Sequence, residues 1–451
     1  MSSNGSVPGS RLGGLGDLSH SERSTVRCKL IVLSVATILT ARLLFHAVFV
    51  PAFEGPDEPY HLGRIAAFAD RPFLVALRGV ALDGRIVGSV RARPCGTSFG
   101  CLPFGSEPAA FNLLRQRRAA PPASPVRNPE NNQPPLFYML AAAAIRLSHL
   151  EEPETRLLFV RILNVLLVGV GLVLLLRVPP YRNTRVFAAC ISVAILLPGA
   201  AESLARCSND ASVFLWSAAT LLTLGRTWSP TKAVAVICLL CVGPLLKLTA
   251  FPVVSFALAV LWQETKKRHL VLLGAAASLL VFPLQLLRGW RWGGTYELNR
   301  PALALLETVA QTIIGFGRSV YTFVKTTFWL GGWSFFRAPL FLVGAYLALL
   351  LIIAVRSRPR LPTRRLAAHV IGLGVAALGF SIFAVANRRF FGVWGGVGGW
   401  YAWSWFPWLA VAVYDTRTWR PTALRPLLWS AAAFAGLANL LYYKAAYAIY
   451  R

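Results

Sequence analysis

The sequence predicts an all-α polytopic membrane protein: one bundle of about eleven apolar helices with a large polar loop after the first. Three observations lead there. The 451 residues are 56% hydrophobic, with a mean hydropathy of +0.56, which is too apolar for a soluble chain of this length. Apolar runs of about 15–22 residues recur along the chain, the length a helix needs to cross a hydrocarbon core. Charged residues, 14% of the total, gather in the breaks between those runs.

Residues 1–28 are rich in Gly and Ser and read as a disordered cytoplasmic tail. Residues 29–451 read as a single transmembrane domain. Its first span, 30–50, is too long for a cleaved signal core and lacks a small-x-small cleavage site, so it reads as a signal anchor. Further spans are expected at 157–177, 186–203, 211–225, 232–247, 249–263, 269–287, 339–355, 366–386, 400–414 and 426–443. Arg23, Arg27 and Lys29 beside the first span place the N-terminus in the cytoplasm. With that start, Arg177/Arg182/Arg185, Arg226/Lys232, Lys266–Arg268, Arg356–Arg365 and Arg417–Arg425 all fall on the cytoplasmic side, as short basic loops should. The run 134–147 is short for a span and contains Arg146. Counting it as one would move Arg177–Arg185 and Lys266–Arg268 outside, so it is expected to lie at the outer surface or to be re-entrant. Residues 51–156 then form a large external loop containing surface helices, and 288–338 a second external segment. The tryptophans of the latter, Trp290, Trp292, Trp329 and Trp333, suit an interface belt.

The net charge of +28 does not imply nucleic acid, because the Arg and Lys residues sit in inter-span loops, where they serve topology and contact with lipid phosphate. Localisation in the cell membrane follows, with the lipid bilayer as a partner.

Acidic residues number only 18 in 451, so Glu54, Asp57 and Glu58 clustered just after the first span are unusual. With this topology most polar residues near the bilayer share the external side: Asp57, Glu58 and His61; Asn131 and Gln133; Arg206, Asn209 and Asp210; Lys247; Asn387, Arg388 and Arg389. Ionisable groups at membrane depth are costly and tend to be functional. Asp57 and His61 share a helix face at i, i+4. The bland account is a capped surface helix beginning after Pro56; the functional account is a general base or a metal-ligand pair. Asn209-Asp210 can cap the fourth span, belong to a site, or both. Lys247 can snorkel or bind phosphate. Arg388 and Arg389 can anchor an interface or grip a phosphate. Cys95 and Cys101 could pair outside the cell, whereas Cys238 and Cys241 read as core packing. The stretch 391–407 is rich in Gly and Trp, allowing close backbone approach and stacking on a sugar or lipid. The chain has no P-loop, dinucleotide fingerprint, HExxH or GxSxG.

Taken in order, Gly55-Pro-Asp-Glu-Pro-Tyr-His61, Asn132-Gln-Pro-Pro-Leu-Phe-Tyr138, Arg161-Ile-Leu-Asn164, Ser208-Asn-Asp210, Leu246-Lys-Leu-Thr249 and Thr327-Phe-Trp-Leu-Gly-Gly-Trp333 form a set. That set resembles the GT-C superfamily of membrane glycosyltransferases, in particular a bacterial branch carrying a P-D-E-P-x-H motif. The resemblance covers most of residues 30–415. It departs at Gly399-Trp-Tyr401, where Trp400 stands in place of a usual Arg. The resemblance implies a GT-C-like bundle and an inverting transfer from a polyprenyl-phosphate-linked sugar to an envelope glycan, lipid or protein acceptor. Asp57 would be the general base. Glu58 and His61 would position it or join it in binding a divalent metal, Mg or Mn. Lys247, Arg206, Arg388 and Arg389 would neutralise the leaving phosphate. Asn131, Gln133, Asn209, Asp210, Trp333 and Trp400 would line the substrate site. The alternatives are a lipid-linked glycan transporter or flippase, and a catalytically inactive scaffold.

Overall fold

The computed structural model describes residues 20–53, 55, 57–91, 128–179, 185–227, 229–265, 268–292, 305–327, 344–345, 348–349, 351–352, 355, 358–359, 364–391, 401–418, 426, 429–430, 432–441 and 443. They form an α-helical bundle. Among the described residues the only sheet is a two-residue antiparallel ladder, Arg358–Pro359 against Arg417–Thr418.

Helix α1 (His20–Phe49) begins inside the stretch expected to be a disordered tail. An apolar-run reading starts a helix at its first apolar residue, whereas an anchored helix propagates through polar neighbours at little cost. The loop after it is built of short helices: α2 (Glu58–Asp70), α3 (Phe73–Arg78), α4 (Gly84–Arg91), a 3-10 turn (Pro129–Asn132) and α5 (Leu136–Ser148). Helix α2 is not a surface helix, since Glu58, Pro59 and His61 through Ala69 are all buried. Helix α5, within the ambiguous run 134–147, has 13 residues and buries Phe137, Tyr138, Ala141, Ala142 and Ile145. It packs on α2. Its Arg146 donates to the last carbonyls of α2, Phe68 O at 2.7 Å and Ala69 O at 2.6 Å, which satisfies orphan acceptors at a helix end.

The long helix α6 (Pro153–Leu176) is the hub, lying against α1 and α9 (Asp210–Leu224). The run expected as one span at 186–203 is two helices, α7 (Arg185–Leu196) and α8 (Pro198–Ala205). Pro198 opens α8 because it lacks the N–H that continuing α7 would require. Helices α10 (Pro230–Leu246) and α11 (Phe251–Glu264) are separated by Lys247, extended at φ −163, and by a 3-10 turn at Leu248–Ala250. Helix α12 (Arg268–Trp292) packs on α10. Helix α13 (Leu305–Thr327) occupies much of the segment expected to be an external stretch without a span, and it packs on α14 (Arg364–Phe391). Its Glu307, Arg318 and Lys325 break the apolar run that would mark it in the sequence. Helix α15 (Tyr401–Thr416) lies along α9. His369 ties α14 to α15: its Nδ1 accepts from Trp408 Nε1 at 3.1 Å, and its Nε2 faces Asp415 at 3.2 Å. The core runs through Leu43, Val160, Leu172, Phe214, Leu240, Ala257 and Trp408, all buried.

Pro153–Leu176 and Arg365–Val385 are each long and apolar enough to cross a membrane; Leu33–Phe49, Asp210–Leu224, Pro230–Leu246, Leu248–Glu264 and Ala432–Leu441 are apolar but shorter. Cys238 is exposed on α10 and Cys241 is half-buried, so neither is a core residue, contrary to expectation. Cys95 and Cys101 lie outside the described residues.

Candidate functional site

The link between α1 and α2 is organised by one buried ion pair. The Glu58 carboxylate is fully buried and takes both arms of the Arg161 guanidinium, Nε to Oε1 at 2.8 Å and Nη2 to Oε2 at 2.6 Å. It also accepts from Cys207 N at 2.9 Å and Gly55 N at 3.1 Å. Burial pushes the Glu58 pKa up, but Arg161 and these backbone donors outweigh it and hold the group below the usual carboxylate range. Arg161 also donates to three carbonyls at the end of α1: Ala47 at 3.2 Å, Val50 at 2.6 Å and Pro51 at 2.9 Å. Asn164, one turn along α6, holds the carbonyls of Arg206 at 2.6 Å and Ser208 at 2.8 Å. Gly55 is required here, because a Cβ would come within 2.6 Å of Glu58 Cδ and 3.0 Å of Arg206 Cβ.

Asp57, the preceding residue, is arranged differently. It sits in the left-handed region at φ 62, which Asp tolerates better than most residues, and it caps α2 with its backbone only. Its carbonyl accepts from Tyr60 N and His61 N, both at 2.9 Å. Among the described residues its carboxylate has no hydrogen-bond partner, and the residue is half-buried rather than sealed. Burial raises its pKa above the ordinary carboxylate value, opposed by the charges of Arg206 and Lys247 and assisted by Asp210.

Those three residues lie together behind it. Lys247 Nζ donates to Asp210 Oδ1 at 2.6 Å, and Arg206 Nη2 donates to Asp210 Oδ2 at 2.9 Å. All three are buried. The Lys247 ammonium also sits 4.7 Å from the centroid of the Tyr401 ring. Asn209 Nδ2 donates to Leu246 O at 3.1 Å, which fastens the start of α9 to the end of α10; its Oδ1 has no partner among the described residues. Asn209 precedes α9 but does not cap it with its side chain. The sequence elements around 57, 206–210 and 247 therefore meet in one place.

Against the third side of α2 stands a carboxylate that sequence reasoning passed over. Glu130 accepts from Tyr138 Oη at 2.8 Å; the Tyr138 oxygen lies 2.9 Å from His61 Nδ1, which is 3.4 Å from Glu130 Oε2. The His61 and Tyr138 rings stack with centroids 5.8 Å apart. Since the Tyr138 hydroxyl donates its hydrogen bond to Glu130, its lone pair is the acceptor for His61 N–H, which places the imidazole proton on Nδ1. Burial, with help from Lys247 and Arg206, holds the His61 pKa well below 6.5, so the ring is neutral. Burial and then the Asp57 charge push Glu130 up to about 7.

Other expected site residues have structural partners. Asn131 accepts from Arg64 Nη1 at 3.2 Å and donates to Val80 O at 2.9 Å, so it clips the loop to α2. Gln133 N closes the 3-10 turn on Glu130 O at 3.0 Å. The proposed metal set of Asp57, Glu58 and His61 is not assembled. Glu58 is turned into Arg161, His61 Nδ1 into Tyr138, and no three His, Cys, Asp or Glu side chains among the described residues are grouped to hold a cation. Arg388 and Arg389 lie on the last turn of α14; their side chains, with Trp333 and Trp400, lie outside the described residues. A cavity lined by Leu62, Ala66, Ile86 and Arg156 contains none of the cluster residues.

Arg161, Glu130 and Tyr138 are the functional-looking residues that residue-by-residue reasoning did not single out. For Glu130 the available signal was acidic scarcity within Asn128-Pro-Glu-Asn-Asn. For Arg161 it was a charge inside an apolar run. Comparison with family models, curated proteins and solved structures finds no match.

Proposed function

We propose that this chain is a polytopic membrane glycosyltransferase. It takes a sugar from a polyprenyl-phosphate donor and passes it to an acceptor on the extracytoplasmic face, with Asp57 as general base. The observation that supports this most directly is the contrast within the cluster. Glu58 and Asp210 are fully buried and committed to cations, whereas Asp57 is half-buried and its carboxylate has no hydrogen-bond partner among the described residues. The order of sequence motifs supplies the reaction class; the charge pattern of the loops supplies the membrane and the side.

In this reading Asp57 takes the proton of the acceptor hydroxyl as its oxygen bonds to the anomeric carbon from the face opposite the phosphate. The bond from that carbon to the phosphate oxygen breaks, and configuration inverts. The leaving phosphate gains negative charge. Lys247 retains donors beyond the one given to Asp210 and, with Arg206, sets a positive potential behind Asp57. Glu58 acts by positioning: it holds Gly55, Cys207 and Arg161 around Asp57. The Asp57, Glu58 and His61 set does not fit a divalent ion, so no step passes through a metal. The test is transfer from labelled decaprenyl-phosphate sugars by purified wild type and Asp57→Asn. Retained turnover in the variant removes Asp57 from the role.

A second reading, a lipid-linked glycan transporter, is favoured by one observation. A polar network lies between α1, α8 and the C-terminal residues: His46 Nε2 to Glu202 at 3.0 Å, His46 Nδ1 to Tyr443 at 3.1 Å, and Arg42 Nη1 to Tyr443 at 3.0 Å. Translocation of a fluorescent polyprenyl-phosphate sugar across vesicles containing the protein, unaffected by Asp57→Asn, would favour it.

A further inference from the structure

Glu130 belongs to the same site as Asp57 and has no role in the reaction as described above. It is buried, at 8% exposure, yet lies on a loop turn rather than a helix face. Two anchors place it. Asn128 Oδ1 accepts from Glu130 N at 2.9 Å, while Asn128 Nδ2 donates to Tyr60 O at 2.9 Å, fixing the turn to α2 three residues after Asp57. Tyr138 then holds Oε2 at 2.8 Å, and His61 holds the Tyr138 oxygen at 2.9 Å. The other oxygen, Oε1, has no hydrogen bond among the described residues. Three charged groups act on it, Asp57 from the α1–α2 link, Lys247 from the break between α10 and α11 and Arg206 from the end of α8, and the neutral rings of His61 and Tyr138 flank it from α2 and α5.

The two buried carboxylates beside it, Glu58 and Asp210, are paired on both oxygens. Glu130 is instead fixed by one edge and left with the other open, beside a second open carboxylate. For an acceptor substrate that must bring a hydroxyl to Asp57, a second hydrogen-bond acceptor close by suits a ligand with a neighbouring donor. Two carboxylates repel a phosphate or a carboxylate, and a serine side chain supplies one donor, whereas neighbouring sugar hydroxyls supply two.

We propose that Glu130 is a second substrate-contacting carboxylate: its Oε1 accepts from a hydroxyl neighbouring the one that Asp57 deprotonates, so the acceptor is a glycan presenting adjacent hydroxyls. This rests on the glycosyl-transfer reading for Asp57 and adds the acceptor's chemical class to it. Tyr138 and His61 are positioning residues for Glu130. Breaking a hydrogen bond to a charged group in such a site costs about tenfold to a hundredfold in affinity.

The experiment uses the full chain in lipid nanodiscs and has two arms. Binding of a panel of methyl hexopyranosides and pentofuranosides, their monodeoxy analogues and a serine-containing peptide is followed by saturation-transfer NMR. Transfer to the same panel from labelled decaprenyl-phosphate sugars is followed by product formation. At least one glycoside is expected to bind, with a monodeoxy analogue bound more weakly. Glu130→Gln is expected to raise its KM about tenfold to a hundredfold with kcat within about threefold, and to abolish discrimination against that analogue. Glu130→Asp, which keeps the charge, is expected to recover part of the loss and covers the case in which the Gln variant does not fold. The inference is overturned if no glycoside binds wild type, if Glu130→Gln binds and discriminates as wild type does, or if the peptide is the preferred acceptor. Full transfer by Asp57→Asn with Glu130-dependent glycoside binding would instead remove the base and leave the acceptor subsite standing.

Discussion

The region around Glu58 and the region around Asp57 and Glu130 adjoin in space and differ in how their charges are treated. Glu58 is surrounded by four donors: two from Arg161, one from Cys207 and one from Gly55. Asp57 has none among the described residues, and Glu130 is held on one oxygen. Each carboxylate sits near cations, so proximity to positive charge does not separate them; completeness of hydrogen bonding does. A buried charge fully paired is a fastening, and removing one partner leaves the other stranded. A carboxylate left open beside fixed charges has its pKa raised and its lone pairs available, which is the condition of a working base. The identity of two neighbouring residues, both acidic, says little about which is which; their partners decide it.

The sharpest way to break this comparison is to exchange charge for amide at the open edge. Asp57→Asn keeps the left-handed backbone and removes no side-chain hydrogen bond seen among the described residues, so turnover is expected to fall about 10²–10⁴-fold while the melting temperature stays within about 2 °C of wild type. In wild type, turnover should climb as Asp57 loses its proton, with the acid limb above the ordinary range for Asp because the folded pKa is raised. The converse substitution, Arg161→Ala, should destabilise the fold by about 3–5 kcal/mol, measured by denaturant unfolding, since it leaves the buried Glu58 charge and three helix-end carbonyls unpaired. A variant that unfolds like wild type would show that Glu58 is not a fastening.

A third measurement sharpens the role of Glu130. Its pKa rises from 4.5 in the unfolded chain to about 7 in the fold. Between those values the folded state holds the proton that the unfolded chain has released, so the group makes stability fall as pH rises through that window. The full loss, present above pH 7, is about 3 kcal/mol. Glu130→Gln cannot titrate, so the difference in stability between the two proteins should grow by that amount from about pH 4.5 to pH 8. Equal pH dependence would show Glu130 to be an ordinary carboxylate. The smallest effect is expected for Asn128→Ala, about 1 kcal/mol from the lost cap of the 3-10 turn, with looser acceptor binding through Glu130.

Much of this site was legible in the sequence, because carboxylates are rare in an apolar chain and each one stands out. Scarcity points to Asp57 and Glu58, and the pattern of basic loops predicts 57, 206–210 and 247 on one side. What the sequence could not provide was pairing. Glu58 meets Arg161 across 103 positions and Cys207 across 149, and no local period encodes such contacts. Glu130 escaped notice because its partners, Tyr138 and His61, lie on two different helices and its turn carries no hydrophobic period. Helix boundaries failed where polar residues continue a helix, as before residue 30 in α1, or where a proline divides an apolar run, as at Pro198. Helix α13 was missed because its charges interrupt the apolar count, although they do not interrupt the helix.

Arg161 has one more consequence. Its single guanidinium holds the last carbonyls of α1, the first acid of α2 and, through Glu58, the amides of Gly55 and Cys207. Segments far apart in the chain therefore share one latch. Local opening events follow such shared contacts rather than chain order. The amides of Gly55 and Cys207 should then exchange with solvent at a common rate set by release of Arg161, which makes the end of α1, the start of α2 and the 206–209 link a single cooperative unit.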